Sequence, residues 1–232
     1  MRLNKFIANS GICSRRKADK LIEDGCIVVN GEIISDYSYS VSLDDIVEFN
    51  GNKIIYNKIN ETYILNKPKG FISSNYDRFN KRRIVDLIDT NSRLFSIGRL
   101  DLDTTGVILL TNDGDLSYKL SHPKFQVEKR YIAYTVNDVN DKELYKFKSG
   151  FIVNGQNYKA EIKRIKKYNN YFEWDIGLTE GKNREIKKIF NFLDAPVINL
   201  HRYSFAGLLL DNLKSGESRA LSSDETNVLY KL

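Results

Sequence analysis

The sequence predicts an α+β protein in two parts, with a small N-terminal domain at residues 1–57 and a larger domain at residues 62–232. Three observations lead to this prediction. Two apolar stripes at helical spacing and a hairpin signal lie close together near the N-terminus. Asn, Lys and Gly then interrupt the periodicity at residues 50–61, as in a linker. Beyond it, strand-like segments outnumber helical ones without a regular βαβ rhythm, which favours a mostly antiparallel sheet.

The small domain is predicted to hold two short helices followed by a small sheet. Apolar residues at i, i+3 and i+4 spacing predict the helices. The two stripes consist of Leu3, Phe6 and Ile7, and of Ala18, Leu21 and Ile22. Ser14 precedes the second stripe as a helix cap, and Gly25 ends that helix. Strands are expected at 26–29 and 46–49, and Asn30-Gly31 is a hairpin signal.

The larger domain contains more strands than helices. Short segments rich in apolar, β-branched and aromatic residues predict the strands. These segments are 63–66, 71–74, 107–111, 131–136, 160–165 and 172–178. Helical spacing of apolar residues predicts helices at 84–88, 116–120, 143–147 and 184–193.

The composition is that of a globular protein, with 41% hydrophobic and 28% charged residues among 232. An excess of 36 Lys and Arg over 30 Asp and Glu gives a net charge of +6, which moderately favours a polyanionic partner. No stretch reaches the ~20 apolar residues of a membrane span, and the start of the chain lacks the apolar core of a signal peptide. We therefore expect a cytoplasmic protein that does not contact a membrane.

Metal and nucleotide sites lack their usual sequence features. Cys13 and Cys26 are expected to remain reduced thiols in a small core. A zinc site needs about four ligands, and His122 and His201 lie far from the cysteines in sequence. No GxxxxGK(S/T) or GxGxxG motif is present, which argues against nucleotide hydrolysis and against dinucleotide or methyl-donor binding. Both histidines are interpreted as structural or surface residues.

The segment at residues 98–115 places four aspartates around an apolar run. A calcium loop would use Asp101, Asp103 and Thr105, with Gly106 at its sixth place. This interpretation fails at the last ligand place, where Asn112 stands instead of a bidentate glutamate. We therefore predict a strand closed by a turn at 112–114, with one carboxylate held at its upstream end. Which carboxylate has a function is open at this point.

The first 34 residues, MRLNKFIANSGICSRRKADKLIEDGCIVVNGEII, resemble the S-four (S4) RNA-binding domain. The match includes both apolar stripes, the SRR helix start, Gly25 and the VNG turn. On the second helix, cations flank the apolar face and can meet phosphates while that face is buried. The resemblance implies RNA-binding roles for five basic residues, namely Arg2, Lys5, Arg15, Arg16 and Lys20.

Nearly the whole chain also resembles pseudouridine synthases of the RsuA/RluB type, in which an S4 domain precedes the catalytic domain. The segment GRLDLDTTGVILLTNDG, residues 98–114, resembles the signature of that family. Four further segments resemble its other motifs: LNKPKGFISS at 65–74, SHPKFQVEKRYIAYTV at 121–136, EGKNREIKKIF at 180–190 and LHRYSFAGLLLDNLKSGESRALS at 200–222. Taken singly, the basic and acidic residues in these places would be explained by ion pairs or a solvated surface.

The resemblance implies isomerisation of uridine to pseudouridine in ribosomal RNA, without cofactor or metal. It makes Asp101 the catalytic carboxylate and Lys187, where many relatives carry Arg, the cation that keeps it ionised. Tyr131 would pack on the flipped uracil and take part in proton removal from its carbon. Arg99 would help to displace the target base, and Arg184 and Lys188 would contact RNA.

The other acidic residues are expected to lie outside the chemistry. Asp103 should face the opposite side of an extended segment from Asp101, and Asp113 and Asp115 should serve turns or helix starts. Glu185 replaces the Gln that relatives often carry, and we expect it to weaken local phosphate contact.

Two other functions are considered, a non-catalytic RNA-binding or ribosome-assembly factor and an RNA methyltransferase. The presence of Asp101, Tyr131 and Lys187 argues against the first, and the missing Gly-rich donor site argues against the second. The sequence leaves open the uridine modified and the choice between a covalent ester and a glycal mechanism. Residues 183–185 favour large-subunit rRNA, and the protein is expected to be a monomer.

Overall fold

The computed structural model describes residues 1–56, 59–75, 79 and 82–232. Two compact units are present, the first formed by residues 1–61, 90–93 and 112–114 and the second by 62–89, 94–111 and 115–232. The predicted domain boundary at residue 57 lies outside the described residues. Residues 52–54, assigned to a linker from the sequence, instead extend the small sheet of the first unit and place Ile54 in its core.

The first unit contains two helices and a four-stranded antiparallel sheet in the order β2-β1-β3-β4. Its elements are α1 (Leu3–Asn9), α2 (Arg15–Glu23), β1 (Ile27–Val29), β2 (Glu32–Ile34), β3 (Val47–Phe49) and β4 (Asn52–Lys53). The Ser14 side chain accepts a hydrogen bond from the Lys17 backbone N–H, as predicted for a cap. Asn30 and Gly31 both have positive φ, which a tight hairpin turn of this kind requires.

The second unit is built around a nine-stranded sheet. Its strands include β5 (Thr62–Lys67), β6 (Phe95–Ile97), β7 (Thr105–Thr111), β8 (Lys129–Thr135), β11 (Glu161–Lys167), β12 (Phe172–Leu178), β13 (Val197–Phe205), β14 (Leu208–Leu209) and β15 (Ser218–Ala220). A separate hairpin comprises β9 (Phe151–Val153) and β10 (Gln156–Tyr158). The helices are α3 (Gly114–Ser121), α4 (Asp141–Ser149), α5 (Glu185–Phe192) and α6 (Ser223–Lys231), with 3-10 turns at Ile84–Leu87 and Pro123–Phe125.

The main path of the large sheet runs β11-β12-β8-β13-β7-β5-β15, while β6 and β14 pair with β7 and β13. All of these pairings are antiparallel except that between β13 and β7. The predicted α+β fold with a mostly antiparallel sheet is therefore confirmed. No helix among the described residues is long and apolar enough to span a membrane.

Most of the predicted elements of the second unit are present. Five of the six predicted strands and three of the four predicted helices overlap observed ones, and the fourth helix is the 3-10 turn at Ile84–Leu87. The strand predicted at 71–74 is wrong, because only an isolated bridge joins Ile72 to Arg83. Side-chain hydrogen bonds replace a strand ladder there: Ser73 Oγ donates to the Leu100 carbonyl at 3.0 Å and accepts from the Leu100 N–H at 3.1 Å.

The apolar run of β7 is continuous because both faces of the sheet are covered. Ile108 and Leu110 pack into one core cluster, and Val107 and Leu109 pack into another. Gly106, near the start of the strand, has φ +106°, and a Cβ there would lie 2.1 Å from the Arg202 carbonyl oxygen. The close approach of β7 to β13, rather than a calcium ligand pattern, therefore requires this glycine.

Candidate active site

A cavity of about 520 Å³ opens in the second unit where several motif segments meet. Charged and aromatic side chains from different strands and loops line it. They include Arg99, Asp101, Lys129, Tyr131, Arg184 and Arg202. The sheet therefore brings together residues that lie more than a hundred positions apart in sequence.

Asp101 begins a turn rather than an extended segment. The Thr104 backbone N–H donates to the Asp101 carbonyl at 3.1 Å, so the chain reverses over residues 101–104. Asp101 and Asp103 consequently point to the same cation, with the Lys187 Nζ atom 3.4 Å from Asp101 Oδ2 and 2.5 Å from Asp103 Oδ1. The prediction that Asp103 faces away is wrong, because side chains two positions apart share one face even in an extended strand, and the turn also directs both carboxylates to Lys187.

Lys187 is buried on α5, beside the apolar face that anchors the helix. Ile186, Ile189 and Phe190 enter the core, while the Lys187 side chain is only 9% exposed and reaches the carboxylates. Arg184 precedes the helix with a left-handed backbone, and its Nη1 atom lies 3.6 Å from Asp101 Oδ2. Asp101 therefore has two cations within 4 Å of its carboxylate.

The charge on Asp103 is also stabilised. Its partial burial disfavours the carboxylate, but the hydrogen bond and positive charge of Lys187 outweigh this effect and lower the pKa of Asp103. Asp101 and Asp103 thus form a two-carboxylate, one-lysine cluster at the edge of the cavity.

Tyr131 lies on β8, 7% exposed, and lines the same cavity. Its hydroxyl is 3.5 Å from Nη1 of Arg202, which occupies the neighbouring strand β13 in register with Tyr131. The structure therefore brings Asp101, Tyr131 and Lys187 together, as expected from the sequence motifs.

Comparisons with known proteins identify the family of this chain. The family model described as RNA pseudouridylate synthase matches residues 61–192, and the S4 domain model matches residues 1–47. The chain belongs to the RNA pseudouridylate synthase family. It is 35% identical to the ribosomal large subunit pseudouridine synthase B of Bacillus subtilis (strain 168), over 100% of this chain and 96% of that protein.

Two further similarities cover the whole of this pseudouridine synthase. The ribosomal small subunit pseudouridine synthase A of Haemophilus influenzae is 31% identical, with 100% of both chains covered. A crystal structure of a pseudouridylate synthase shares 30% identity and a TM-score of 0.70 over 99% of each chain. The fold and the order of the two domains are thus those of the family.

Lys67 supports the candidate site from below the surface and was missed by sequence reasoning. It is fully buried at the end of β5, and its Nζ atom donates to the carbonyls of Thr104 at 2.8 Å and Leu102 at 3.5 Å. Burial lowers the pKa of Lys67 to about 8, although the charges of Asp103 and Asp101 act in the opposite direction. Lys67 holds the turn that carries the carboxylates. Because Lys67 follows the apolar Leu65 by two positions in the predicted strand, its burial on the same face could have been inferred from the sequence.

Lys129 and Arg202 were also missed as site residues. The Lys129 Nζ atom donates to the Val127 carbonyl at 2.8 Å, and burial, followed by repulsion from Arg202, lowers the pKa of Lys129 to about 8. Because Lys129 and Tyr131 are two positions apart on one strand, their shared face could have been inferred from the sequence. The burial of a charge such as that of Arg202 gives no such signal.

Glu185 does not have the position expected for an acid that weakens phosphate contact. It is buried, and its Oε2 atom accepts a hydrogen bond from the Lys182 backbone N–H at 2.9 Å. Burial raises the pKa of Glu185. The hydrogen bond links Glu185 to the loop that leads into α5, and its expected effect on phosphate contact stays a prediction.

The remaining predicted site residues lie on exposed or partly exposed surfaces. In the first unit these are Arg2, Lys5, Arg15, Arg16 and Lys20, and in the second they are Arg99, Arg184 and Lys188. Lys20 pairs with Asp24 at 2.8 Å, which reduces the charge it can offer to RNA. His201 bonds Thr105 through Nδ1, and His122 accepts from the Lys124 N–H, both in structural roles. The described residues include no group of three or more potential His, Cys, Asp or Glu metal ligands.

Proposed function

We propose that this protein isomerises uridine to pseudouridine in ribosomal RNA, with Asp101 as the catalytic carboxylate and with no cofactor. The observation that carries the proposal is the convergence of Asp101, Lys187 and Tyr131, which together line a smaller pocket of about 80 Å³ that shares Asp101 and Tyr131 with the large cavity. The names of the two bacterial relatives, which refer to ribosomal subunits, support ribosomal RNA as the substrate.

Asp101 would act at the anomeric carbon of the target nucleotide, either by attacking it or by removing a sugar proton. The C1′–N1 bond breaks, the uracil turns, and C5 forms a new bond to C1′. The proton lost from C5 is balanced by one gained at N1, so no atom enters or leaves overall. Lys187 and Arg184 lie beside Asp101 and can balance its negative charge, which is why we propose that no metal is needed.

The target uracil must leave its base stack before Asp101 can reach the sugar. Tyr131 offers a flat, buried ring with a polar tip on which the displaced base would stack. Arg99, exposed at the rim of the same cavity, would help to displace the base. Arg184, Lys188 and the basic residues of the S4 domain would contact the phosphates.

We further propose a cytoplasmic monomer, because one chain supplies all three residues to the cavity and the proposed substrate belongs to the ribosome. Large-subunit rRNA is favoured by the sequence of residues 183–185. A non-catalytic RNA-binding factor is the alternative, and it would bind the same RNA without changing it.

The test incubates the protein with small- and large-subunit rRNA transcripts and maps pseudouridine by carbodiimide-stopped primer extension. We expect one or a few new stops with the parent protein and none with Asp101→Asn. Asp115→Asn, which removes a carboxylate from the first turn of α3, is the matched control and should retain activity. RNA binding without any new stop would support the non-catalytic alternative, and loss of parent activity in excess EDTA would contradict the metal-free reaction.

A further inference from the structure

Arg202 is a buried cation at the centre of the sheet, next to the proposed site. It lies on β13, in register with Tyr131 of β8 on one side and with Gly106 of β7 on the other. Only 2% of its surface is exposed, and it lines the cavity that contains Asp101. A charged side chain in a central strand is costly to bury, so its contacts call for an explanation.

Those contacts leave part of the guanidinium without a partner. Nε donates to the Val107 carbonyl at 2.6 Å, and Nη1 lies 3.5 Å from the Tyr131 hydroxyl. Nη2 is buried and has no hydrogen-bond partner among the described residues. Nor does any carboxylate in the described part of the chain form an ion pair with Arg202.

The surroundings of Arg202 carry a surplus of positive charge. Lys129 lines the same cavity, and repulsion from Arg202 adds to burial in lowering the pKa of that lysine. The nearby carboxylates Asp101 and Asp103 are paired with Lys187. This end of the cavity is therefore complementary to a ligand that carries or develops negative charge.

We propose that Arg202 is a further catalytic residue, whose guanidinium donates a hydrogen bond to a uracil carbonyl oxygen while the C1′–N1 bond breaks. The inference rests on the proposed function, because Asp101 and Tyr131 define where the sugar and the base lie. The bond's electron pair goes to N1, and the charge spreads over N1, O2 and O4 of the detached base. A planar guanidinium is suited to such oxygen acceptors.

The uracil anion fits this position better than a phosphate does. Arg202 is buried and lies beside the hydroxyl of the tyrosine on which the base would stack. Exposed cations, including Arg99 and Arg184, are available for the RNA backbone at the rim. A donor inside the cavity meets charge that develops only as the glycosidic bond breaks, and such donors accelerate the reaction rather than tighten binding.

The test compares single-turnover rates on RNA with uridine or 5-fluorouridine at the mapped target position. Fluorine withdraws electrons, so the 5-fluorouracil anion needs less stabilisation from the protein. Arg202→Met should slow loss of uridine by ~10²–10³-fold, the effect of removing one donor to a developing anion. For 5-fluorouridine, the factor by which the same substitution slows the reaction should be smaller by about tenfold or more. Arg202→Lys should retain part of the parent rate on uridine.

The ratio of the two rates within one variant does not depend on how much of the protein is correctly folded. Arg130→Met is the matched control, because Arg130 lies on the same strand as Tyr131 but bonds Tyr203 and Asp175 instead. Its ratio should equal that of the parent. An unchanged ratio in Arg202→Met would overturn the role of Arg202 and leave the proposed function intact. Absence of uridine turnover by the parent protein would instead refute the proposed function itself, and activity in Asp101→Asn would refute the role of Asp101.

Discussion

Replacement of Asp103 by asparagine tests the division of labour between the two carboxylates that share Lys187. The substitution keeps the shape of the side chain and removes its negative charge. Asp103 Oδ1 is the closer partner of the ammonium, at 2.5 Å against 3.4 Å for Asp101 Oδ2. We therefore expect Asp103 to act as a positioning residue for Lys187, with a partial effect on rate.

The size of that effect follows from exposure. The Lys187 side chain is 9% exposed, but that of Asp103 is 52% exposed, so solvent screens much of the attraction. Exposed ion pairs contribute up to about 1 kcal/mol, and hydrogen bonds to charged groups contribute ~1.5–3 kcal/mol. A loss of about 1–2 kcal/mol in the positioning of Lys187 corresponds to a rate reduction of roughly 5–30-fold.

The assay is single-turnover pseudouridine formation by Asp101→Asn, Asp103→Asn and the parent protein, with Kd for the RNA and thermal melts measured alongside. Asp101→Asn should abolish turnover while folding and RNA binding persist. Adding Lys187→Met should make the Asp103→Asn substitution nearly silent, because the two act through one contact. A loss in Asp103→Asn as complete as that in Asp101→Asn would refute this reasoning and move the chemistry to Asp103.

Three further predictions concern residues around the site and in the S4 domain. Tyr131→Leu should weaken binding of the flipped base by roughly 1–3 kcal/mol, while Tyr131→Phe should bind it normally. If turnover by Tyr131→Phe is as low as turnover by Tyr131→Leu, the hydroxyl takes part in the chemistry. The pKa of Lys67 is about 8, so the ammonium that holds the turn is lost above that pH, and the parent rate should fall there more than the rate of Lys67→Arg. In the unfolded chain Lys67 keeps its proton to about pH 10.4. Between about pH 8 and pH 10.4 the unfolded state therefore binds more protons than the folded state, and the contribution of Lys67 to stability rises with pH. A melting temperature that fell together with the rate over this range would contradict the role given to Lys67. Replacing Arg15 and Arg16 together by alanine should weaken rRNA binding and reduce the slope of log K against log salt by up to about 2, and an unchanged slope would show that neither residue contacts phosphate.

Local signals in the sequence were sufficient for much of the fold. The Ser14 cap, the Asn30-Gly31 turn and the apolar run of β7 each reflect short-range chemistry, and each is present. One local signal was overlooked, since Ser222 and Glu225 form a capping box at the start of α6. β13 was not predicted from periodicity, because it places Arg202 in a central strand where only tertiary contacts make a charge tolerable.

The part of the candidate site that could be predicted from the sequence consists of the residues in the family motifs. Asp101, Tyr131 and Lys187 came from resemblance, and their convergence required pairing of distant strands that spacing does not reveal. The orientation of Asp103 was mispredicted because side chains two positions apart share a face, which the expectation reversed. The turn at 101–104, held by a hydrogen bond from Lys67, could not have been inferred from local patterns. Buried lysines and arginines are rare, and sequence reasoning assigns them by default to the solvated surface.

The contact between Lys67 and the carbonyls of Leu102 and Thr104 also limits how this chemistry could be moved to another scaffold. The aspartate-bearing turn has its position fixed by a lysine from the adjacent strand β5, which pairs with β7 at Gly106. A graft of residues 98–106 alone would carry the carboxylates without the group that orients them. The smallest unit that would keep this turn in place is therefore the paired ends of β5 and β7, and a designer would need to rebuild both strands in register before adding Tyr131 and Lys187.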